Sequence, residues 1–219
     1  MGMLLCPSMM CADFGHLEDE VKALDQAGAD IFHCDIMDGN FAPNFTMGVT
    51  DVATIRRCTK KKVDCHLMIE NPGDKVDWFI DAGADIVYIH PESECYVVKT
   101  LAHIRGRGVS PGLAINPDTS IASVEEMLGL CDYLMVMTVN PGFAGQPFLD
   151  FTKKKIGHLV ERKSEYGFRL VVDGHCSPDI VGELWQMGVD GFVLGSSGLF
   201  MDGVTYQEAI DRLRSIEKE

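Results

Sequence analysis

Histidine and aspartate occupy alternate positions in two short apolar segments of the sequence. His33 and Asp35 lie two residues apart in the first segment, and Asp64 and His66 lie two residues apart in the second. If both segments are β-strands, each pair lies on one face, because successive side chains of a strand point to opposite sides. A third apolar segment ends at Asp173. These positions indicate a polar site where several strands end.

Four of these side chains form a candidate metal site. Imidazole and carboxylate groups are ligands of borderline divalent metals, so His33, Asp35, His66 and Asp173 predict one bound ion of zinc, iron, manganese or cobalt. A single histidine of this kind is more often a hydrogen-bonded residue at a strand end. Four such polar groups on inward faces are costly to bury without a shared partner, which favours the metal.

The two aspartates of this set also predict a reaction. If Asp35 and Asp173 approach a substrate carbon from opposite sides, one can remove a proton while the other returns a proton to the opposite face. With a metal to stabilise the enediolate between the two steps, this arrangement inverts a carbon acid. The same residues also suit a metal-dependent hydrolase, in which one carboxylate activates water.

Small, glycine-containing loops follow three of the later strands, at residues 140–148, 173–178 and 195–198. Loops of this kind present backbone N–H groups to anions, and in (β/α)8 barrels the loops after strands seven and eight often bind phosphate. A phosphate group on the substrate is therefore expected. Met37, Met68 and Met137 lie beside the candidate ligands. They either fill the core or form a water-poor lining over a planar intermediate.

The elements that position these residues repeat along the chain. Amphipathic stretches such as 17–26 alternate with eight predicted strands, and Gly28, Gly83 and Gly188 each end a helix shortly before a strand. Eight such units predict one (β/α)8 barrel that spans residues 1–219 as a single domain, with its active site at the carboxyl ends of the strands. The predicted strands are 4–8, 30–37, 62–69, 85–91, 111–116, 133–139, 169–173 and 191–195.

Composition excludes several classes of function. The 219 residues carry 19 Lys and Arg against 33 Asp and Glu, a formal net charge of −14, which disfavours binding to nucleic acid or to an anionic membrane. The sequence shows no signal peptide and no long apolar run, and its eight scattered cysteines are typical of reduced thiols. We therefore expect a cytoplasmic protein.

Several ordered motifs resemble the ribulose-phosphate 3-epimerase family. They include His33 to Gly39, Cys65 to Met68, His90 to Glu92, Val139 to Phe148 and Val172 to Gly174. The resemblance implies a metal-dependent barrel that epimerises a ketose phosphate at carbon 3 and forms homo-oligomers. It implies that His33, Asp35, His66 and Asp173 bind the metal, with Asp35 the proton acceptor and Asp173 the donor in one direction.

The resemblance also implies the residues that contact the substrate. Ser8 and His33 are expected at the sugar end, beside the ligands His66 and Asp173. The expected contacts with the substrate tail and phosphate are Gly142, Phe143, Ala144, Gly145, Gly174, His175, Gly195, Ser196 and Ser197.

One departure from the commonest family pattern concerns the substrate. His175 stands where members that act on ribulose 5-phosphate often have glycine. The sequences of several loops are also more similar to the branch that acts on D-allulose 6-phosphate. The sequence therefore favours conversion of D-allulose 6-phosphate to D-fructose 6-phosphate, with D-ribulose 5-phosphate to D-xylulose 5-phosphate as the alternative. A metal-dependent hydrolase and a non-catalytic sugar-phosphate sensor remain open, whereas a Schiff-base aldolase lacks an inward strand-end lysine.

Overall fold

Eight parallel β-strands run through residues 2–218, the part of the chain that the computed structural model describes. Each is short and largely buried. Most of the predicted strands extend one or two residues too far, because strand residues give way to loops at both edges of the sheet. The strands are β1 (Leu4–Pro7), β2 (Ile31–Met37), β3 (Lys62–Met68), β4 (Ile86–Ile89), β5 (Ser110–Ile115), β6 (Tyr133–Met137), β7 (Arg169–Asp173) and β8 (Gly191–Leu194).

The sheet closes into a barrel. Its strand order is β1-β8-β7-β6-β5-β4-β3-β2, and β1 meets β2 through a parallel bridge between Ser8 and His33. The backbone N–H of Asp30 also donates to the carbonyl of Leu5 at 3.0 Å. The predicted single (β/α)8 barrel is confirmed, and β2 and β7 lie three places apart around the ring.

Helices cover the outside of the barrel in all but one of the connections between strands. Between β5 and β6 the chain instead forms two 3₁₀ segments, Ile121–Ser123 and Glu125–Leu130, and these still bury Val124 and Leu128 against the barrel. Such short segments often adopt the tighter 3₁₀ geometry. The helices are α1 (Leu17–Ala27), α2 (Val49–Cys58), α3 (Val76–Asp81), α4 (Val97–Gly106), α5 (Thr152–Tyr166), α6 (Pro178–Met187) and α7 (Tyr206–Ile216).

The helix-to-strand joints before β2, β4 and β8 share one design. At each joint a glycine with φ between 102° and 106° is followed two residues later by an aspartate, whose carboxylate accepts the backbone N–H that enters the neighbouring strand. A basic side chain pairs with the same carboxylate. The three sets, in the order aspartate, strand residue and basic residue, are Asp30, Leu5 and Arg214; Asp85, Val63 and Arg56; and Asp190, Leu170 and Lys163.

Apolar side chains fill the barrel below the carboxyl ends of the strands. Tyr88 is fully buried and packs over its register partner Gly112 on the neighbouring strand β5, where a Cβ atom would lie 2.4 Å from the tyrosine ring. Tyr133 and Met135 belong to the same interior cluster. This packed floor fixes the strands that carry the candidate site. Within residues 2–218, none of the helices has the length and apolar character needed to cross a membrane.

Candidate active site

The register of the sheet gathers the candidate ligands at the carboxyl ends of the strands. Asp35 of β2 lies opposite His66 of β3, and one layer below them His33 lies opposite Asp64. Asp173 is the last residue of β7. Because these residues face the interior of the barrel, the closed sheet brings all five into one polar cluster.

The predicted ligand atoms converge closely. His33, Asp35, His66 and Asp173 each offer one nitrogen or oxygen atom, and these four atoms all lie within 4.8 Å of one another. Nε2 of His33 lies 3.1 Å from Oδ1 of Asp35 and 4.0 Å from Oδ2 of Asp173. Nδ1 of His66 lies 3.5 Å from each of the same two oxygens. The imidazoles therefore stand between the two aspartates.

The two oxygens of Asp35 have different neighbours. Oδ1 faces the imidazoles of His33 and His66, whereas Oδ2 accepts a hydrogen bond from the Ser8 hydroxyl at 2.6 Å. Behind His33, its Nδ1 lies 2.6 Å from Oδ1 of Asp64, although the ring N–H is not aimed along this line. Asp64 thus acts on His33 as a buried charge.

His66 has neighbours on its far side. Its Nε2 lies 2.8 Å from Nε2 of His90, and Nδ1 of His90 lies 3.3 Å from Oε2 of Glu92. Burial lowers the pKa of His90 to about 4. Although burial acts to raise the pKa of Glu92, its hydrogen bonds with His90, Thr119 and the backbone of Asn116 lower it to about 2.

Burial and neighbouring charges compete in the cluster. Burial disfavours the charged form of His33, but the carboxylates of Asp64 and Asp35 outweigh it and hold the pKa of His33 well above its ordinary value. Asp173 and Asp35 likewise raise the pKa of His66 against the effect of burial. Burial alone would raise the pKa of Asp35, yet the two imidazoles hold it well below its usual range. The metal-free cluster therefore keeps protons on imidazole and a negative charge on Asp35.

The cluster fits a divalent metal ion. Nδ1 of His66 is buried without a hydrogen-bond partner in the described residues, although it stands between Asp35 and Asp173. Two neutral imidazoles and two carboxylates are suitable ligands for zinc and related metals. Ligands of a tetrahedral zinc ion stand about 3.3 Å apart. The four imidazole-to-carboxylate separations of 3.1 to 4.0 Å are near that value, and all four ligand atoms lie within 4.8 Å of one another. A bound ion would give the orphaned nitrogen its partner.

A pocket opens directly above this cluster, and we call it the mouth pocket. Of the residues predicted at the site, only His33, His66 and Gly142 are absent from its lining: the histidines are buried beneath it, and Gly142 packs against Pro43. The predicted residues that do line it are Ser8, Asp35, Met37, Met68, Met137, Phe143, Ala144, Gly145, Asp173, Gly174, His175, Gly195, Ser196 and Ser197.

The β6–α5 loop, residues 138–151, forms one wall of the mouth pocket and is held from both sides. Asn44 donates its side-chain N–H to the carbonyl of Gly142 at 2.8 Å, and Nδ1 of His175 donates to the carbonyl of Gln146 at 2.9 Å. Ser197 places its hydroxyl 3.3 Å from the same Nδ1. His175 has φ of 51°, a left-handed conformation in which glycine is favoured.

Sequence reasoning missed several residues of the site. Strand alternation placed Asp64 on the inward face but could not show that it lies beneath His33. His90 was noted with no role, and Glu92 gave no signal beyond its place in a family motif. Gln146, Cys11 and Cys176 also line the mouth pocket.

A (β/α)8 barrel with histidine and aspartate clustered at the carboxyl ends of its strands has the architecture of an enzyme, and comparison with known proteins shows which family it belongs to. Residues 4–200 match the ribulose-phosphate 3 epimerase family. The chain is 39% identical to a ribulose-phosphate 3-epimerase of Synechocystis sp. over 220 residues, which cover 99% of this chain and 95% of that protein. It is 38% identical to that of Escherichia coli over 216 residues, 97% of this chain and 95% of the relative. The chain belongs to the ribulose-phosphate 3-epimerase family and is an isomerase-class carbohydrate epimerase.

Distant solved structures share the fold alone. Phosphoribosyl anthranilate isomerase from Thermococcus kodakaraensis superposes with a TM-score of 0.69 at 13% identity, covering 99% of this chain and 98% of that one. A 3-hexulose-6-phosphate synthase gives a TM-score of 0.70 at 12% identity, covering 98% and 99% of the two chains. Both support the barrel architecture.

Proposed function

We propose that the protein epimerises a ketose phosphate at carbon 3 with the help of one divalent metal ion, converting D-allulose 6-phosphate to D-fructose 6-phosphate. The observation that carries the reaction is the arrangement of Asp35 and Asp173. Each has a carboxylate oxygen 3.5 Å from Nδ1 of His66, and both line the mouth pocket. A substrate carbon above His66 would have one carboxylate on either side.

The proton transfers are assigned to the two aspartates. Asp35 takes the proton from carbon 3, and the C–H electron pair moves into the C2–C3 bond while the C2 carbonyl gains negative charge on oxygen. Asp173, which must carry a proton at the start of this direction, delivers it to the opposite face of carbon 3 as the C2 carbonyl re-forms, and carbon 3 is inverted. Exchange of protons with water then restores the starting states of the two aspartates. The hydroxyl of Ser8 holds Oδ2 of Asp35 at 2.6 Å. In the reverse direction the two carboxylates exchange roles.

His33, Asp35, His66 and Asp173 would hold the metal ion. When bound, the ion would supply positive charge that stabilises the negative charge of the reaction and so would acidify the C3 proton. Met37, Met68 and Met137 line the mouth pocket next to these ligands. Their apolar side chains exclude water from the planar intermediate and limit its breakdown.

The phosphate end of the substrate is assigned to the loops after β6, β7 and β8. Gly145, Gly174 and Gly195 to Ser197 line that side of the mouth pocket. A Cβ atom at residue 174 would lie 2.8 Å from the backbone nitrogen of Val139, so these two loops can approach closely only with glycine there. Close loops with free N–H groups suit a phosphate.

His175 supports the six-carbon substrate. Its Nδ1 is taken by the carbonyl of Gln146, whereas its Nε2 has no hydrogen-bond partner within residues 2–218, although the side chain lines the mouth pocket. The Nε2 atom can therefore accept a hydrogen bond from the additional hydroxyl group of a hexulose. A site built for such a hydroxyl discriminates against a substrate that lacks it.

D-ribulose 5-phosphate is the second candidate substrate. The relatives named above carry the name ribulose-phosphate 3-epimerase, and their identity to this chain favours the pentulose. The same two-aspartate mechanism serves both substrates. A homo-oligomeric state is also proposed, from the resemblance to the family, and light scattering of the purified protein tests it.

A comparison of kcat/KM for D-allulose 6-phosphate and D-ribulose 5-phosphate tests this proposal, in deuterated water with a defined metal. A higher value for the hexulose, with deuterium at carbon 3 of the product, is the expected result. A higher value for the pentulose would reject the hexulose assignment and keep the mechanism. No exchange with either compound would reject both substrate assignments and the two-aspartate mechanism proposed for them.

A further inference from the structure

A row of three side chains runs outward from the candidate metal cluster, and the proposed reaction uses only the first of them. His66 contacts His90, and His90 contacts Glu92. We propose that His90 and Glu92 are positioning residues, which fix the tautomer of His66 that leaves its Nδ1 free to bind the metal. This inference rests on the metal site of the proposed function.

The direction of the hydrogen bonds is set at the outer end of the row. Oε1 of Glu92 accepts the backbone N–H of Asn116 at 2.9 Å and also accepts the hydroxyl of Thr119. A carboxylate with such donors is an acceptor, so its Oε2 accepts from Nδ1 of His90 across 3.3 Å. The proton of His90 is therefore on Nδ1.

The tautomer of His90 then determines that of His66. His90 is fully buried, which favours its neutral form, and a neutral imidazole carries one N–H. With that proton on Nδ1, Nε2 of His90 is an acceptor. The hydrogen between the two Nε2 atoms, 2.8 Å apart, must therefore belong to His66.

The tautomer of His66 affects the metal cluster because it determines whether Nδ1, the other ring nitrogen, carries a proton. With its proton on Nε2, His66 carries a lone pair on Nδ1, the buried atom that stands 3.5 Å from Oδ1 of Asp35 and from Oδ2 of Asp173. The opposite tautomer would place an N–H there and block coordination. Outer partners of this kind commonly fix the tautomer and orientation of a metal-binding histidine.

The substitution Glu92→Gln should reverse the direction of the hydrogen bonds between Glu92, His90 and His66 without a change in side-chain size. The amide oxygen is required by the N–H of Asn116 and the hydroxyl of Thr119, so the amide NH2 turns to Nδ1 of His90. Nδ1 must then accept, and the proton of His90 moves to Nε2. His90 would then donate to His66, whose own proton moves to the metal-binding nitrogen.

Glu94→Gln is the matched control. Glu94 lies on the same loop and accepts the backbone N–H groups of Gly73 at 2.7 Å and Tyr96 at 2.9 Å. The substitution removes the same charge from the same loop. It leaves the row from His66 to Glu92 intact.

The test measures the affinity for Zn²⁺ and Co²⁺ by chelator competition, together with the visible absorption of the Co²⁺ form. Glu92→Gln should weaken both affinities by about tenfold or more and alter the Co²⁺ spectrum, whereas Glu94→Gln should match the wild type. Equal affinities and spectra for the two variants would overturn the positioning role. No metal binding by the wild type would instead overturn the proposed metal site, and this inference with it.

A second measurement does not depend on the variant. Nitrogen-15 NMR of histidine-labelled wild-type protein with Zn²⁺ bound assigns the proton on each ring. The expected assignment is Nδ1–H for His90 and Nε2–H for His66. An Nε2–H tautomer of His90 would overturn the proposal whether or not Glu92→Gln folds.

Discussion

Metal binding at the cluster should release protons. The pKa of His33 is held well above its ordinary value by Asp64 and Asp35 despite burial, so metal-free His33 keeps its proton to a higher pH than an ordinary histidine does. The pKa of His66 is raised in the same sense. Asp35 has a lowered pKa and is already ionised. A metal ion must therefore displace protons from imidazole and none from Asp35.

The direction of the effect follows from these charges. Both imidazoles hold their protons to a higher pH than usual, so we expect a net release of protons when the metal ion binds near neutral pH. Metal affinity should then rise about tenfold per pH unit for each proton released. Calorimetric titration of Zn²⁺ in buffers with different ionisation enthalpies measures the proton number directly.

The variant Asp64→Asn tests whether the Asp64 carboxylate is the cause of the raised pKa of His33. Asp64 is the strongest of the influences that raise the pKa of His33, so the variant should lower that pKa and release fewer protons at pH 7. Metal affinity should fall as well, because the imidazole loses a buried carboxylate neighbour. A wild-type affinity that does not change between pH 6 and 8, or an unchanged proton number in the variant, would refute the reasoning.

Three further predictions concern the reaction, the substrate and the fold. Asp173→Asn should keep the fold and lower kcat by about 10²- to 10⁴-fold at saturating metal; wild-type turnover would contradict its role. His175→Gly should lower the kcat/KM ratio of hexulose to pentulose by about tenfold through one lost hydrogen bond, and an unchanged ratio would remove His175 from substrate selection. Asp85→Ala should lower the free energy of unfolding by about 2–3 kcal/mol and Tm by roughly 4–12 °C. The substitution removes the acceptor of the Val63 N–H, 2.9 Å away, and the ion-pair partner of Arg56. Asp85→Asn keeps an acceptor for this N–H and should lower the free energy of unfolding, measured with denaturant, by under about 1 kcal/mol. Equal losses of stability in the two variants would contradict the role given to Asp85 at the helix-to-strand joint.

The barrel could be predicted because its signals are local. Strand alternation and the repeated glycine joints each depend on a few neighbouring residues, and Gly28, Gly83 and Gly188 do adopt the left-handed conformation. The 3₁₀ connection after β5 could not be predicted from its sequence. Its buried apolar residues Val124 and Leu128 are four positions apart, and this spacing also fits one face of an α-helix.

The candidate site could be predicted only in part. Alternation placed His33, Asp35 and His66 on inward faces, but contacts between strands depend on register, which the sequence does not state. The registers that set His33 opposite Asp64 and Asp35 opposite His66 became visible only in the structure. The same is true of the contact between His66 and His90, which links residues 24 positions apart.

The most direct test of the central claim follows the hydrogen at carbon 3 early in a reaction in deuterated water. D-allulose 6-phosphate is mixed with the metal-loaded protein, and substrate and product are analysed at low conversion. Two aspartates on opposite faces predict deuterium at carbon 3 of D-fructose 6-phosphate, while the remaining substrate keeps its original hydrogen. Transfer of the substrate hydrogen into the product would contradict the assignment of separate roles to Asp35 and Asp173.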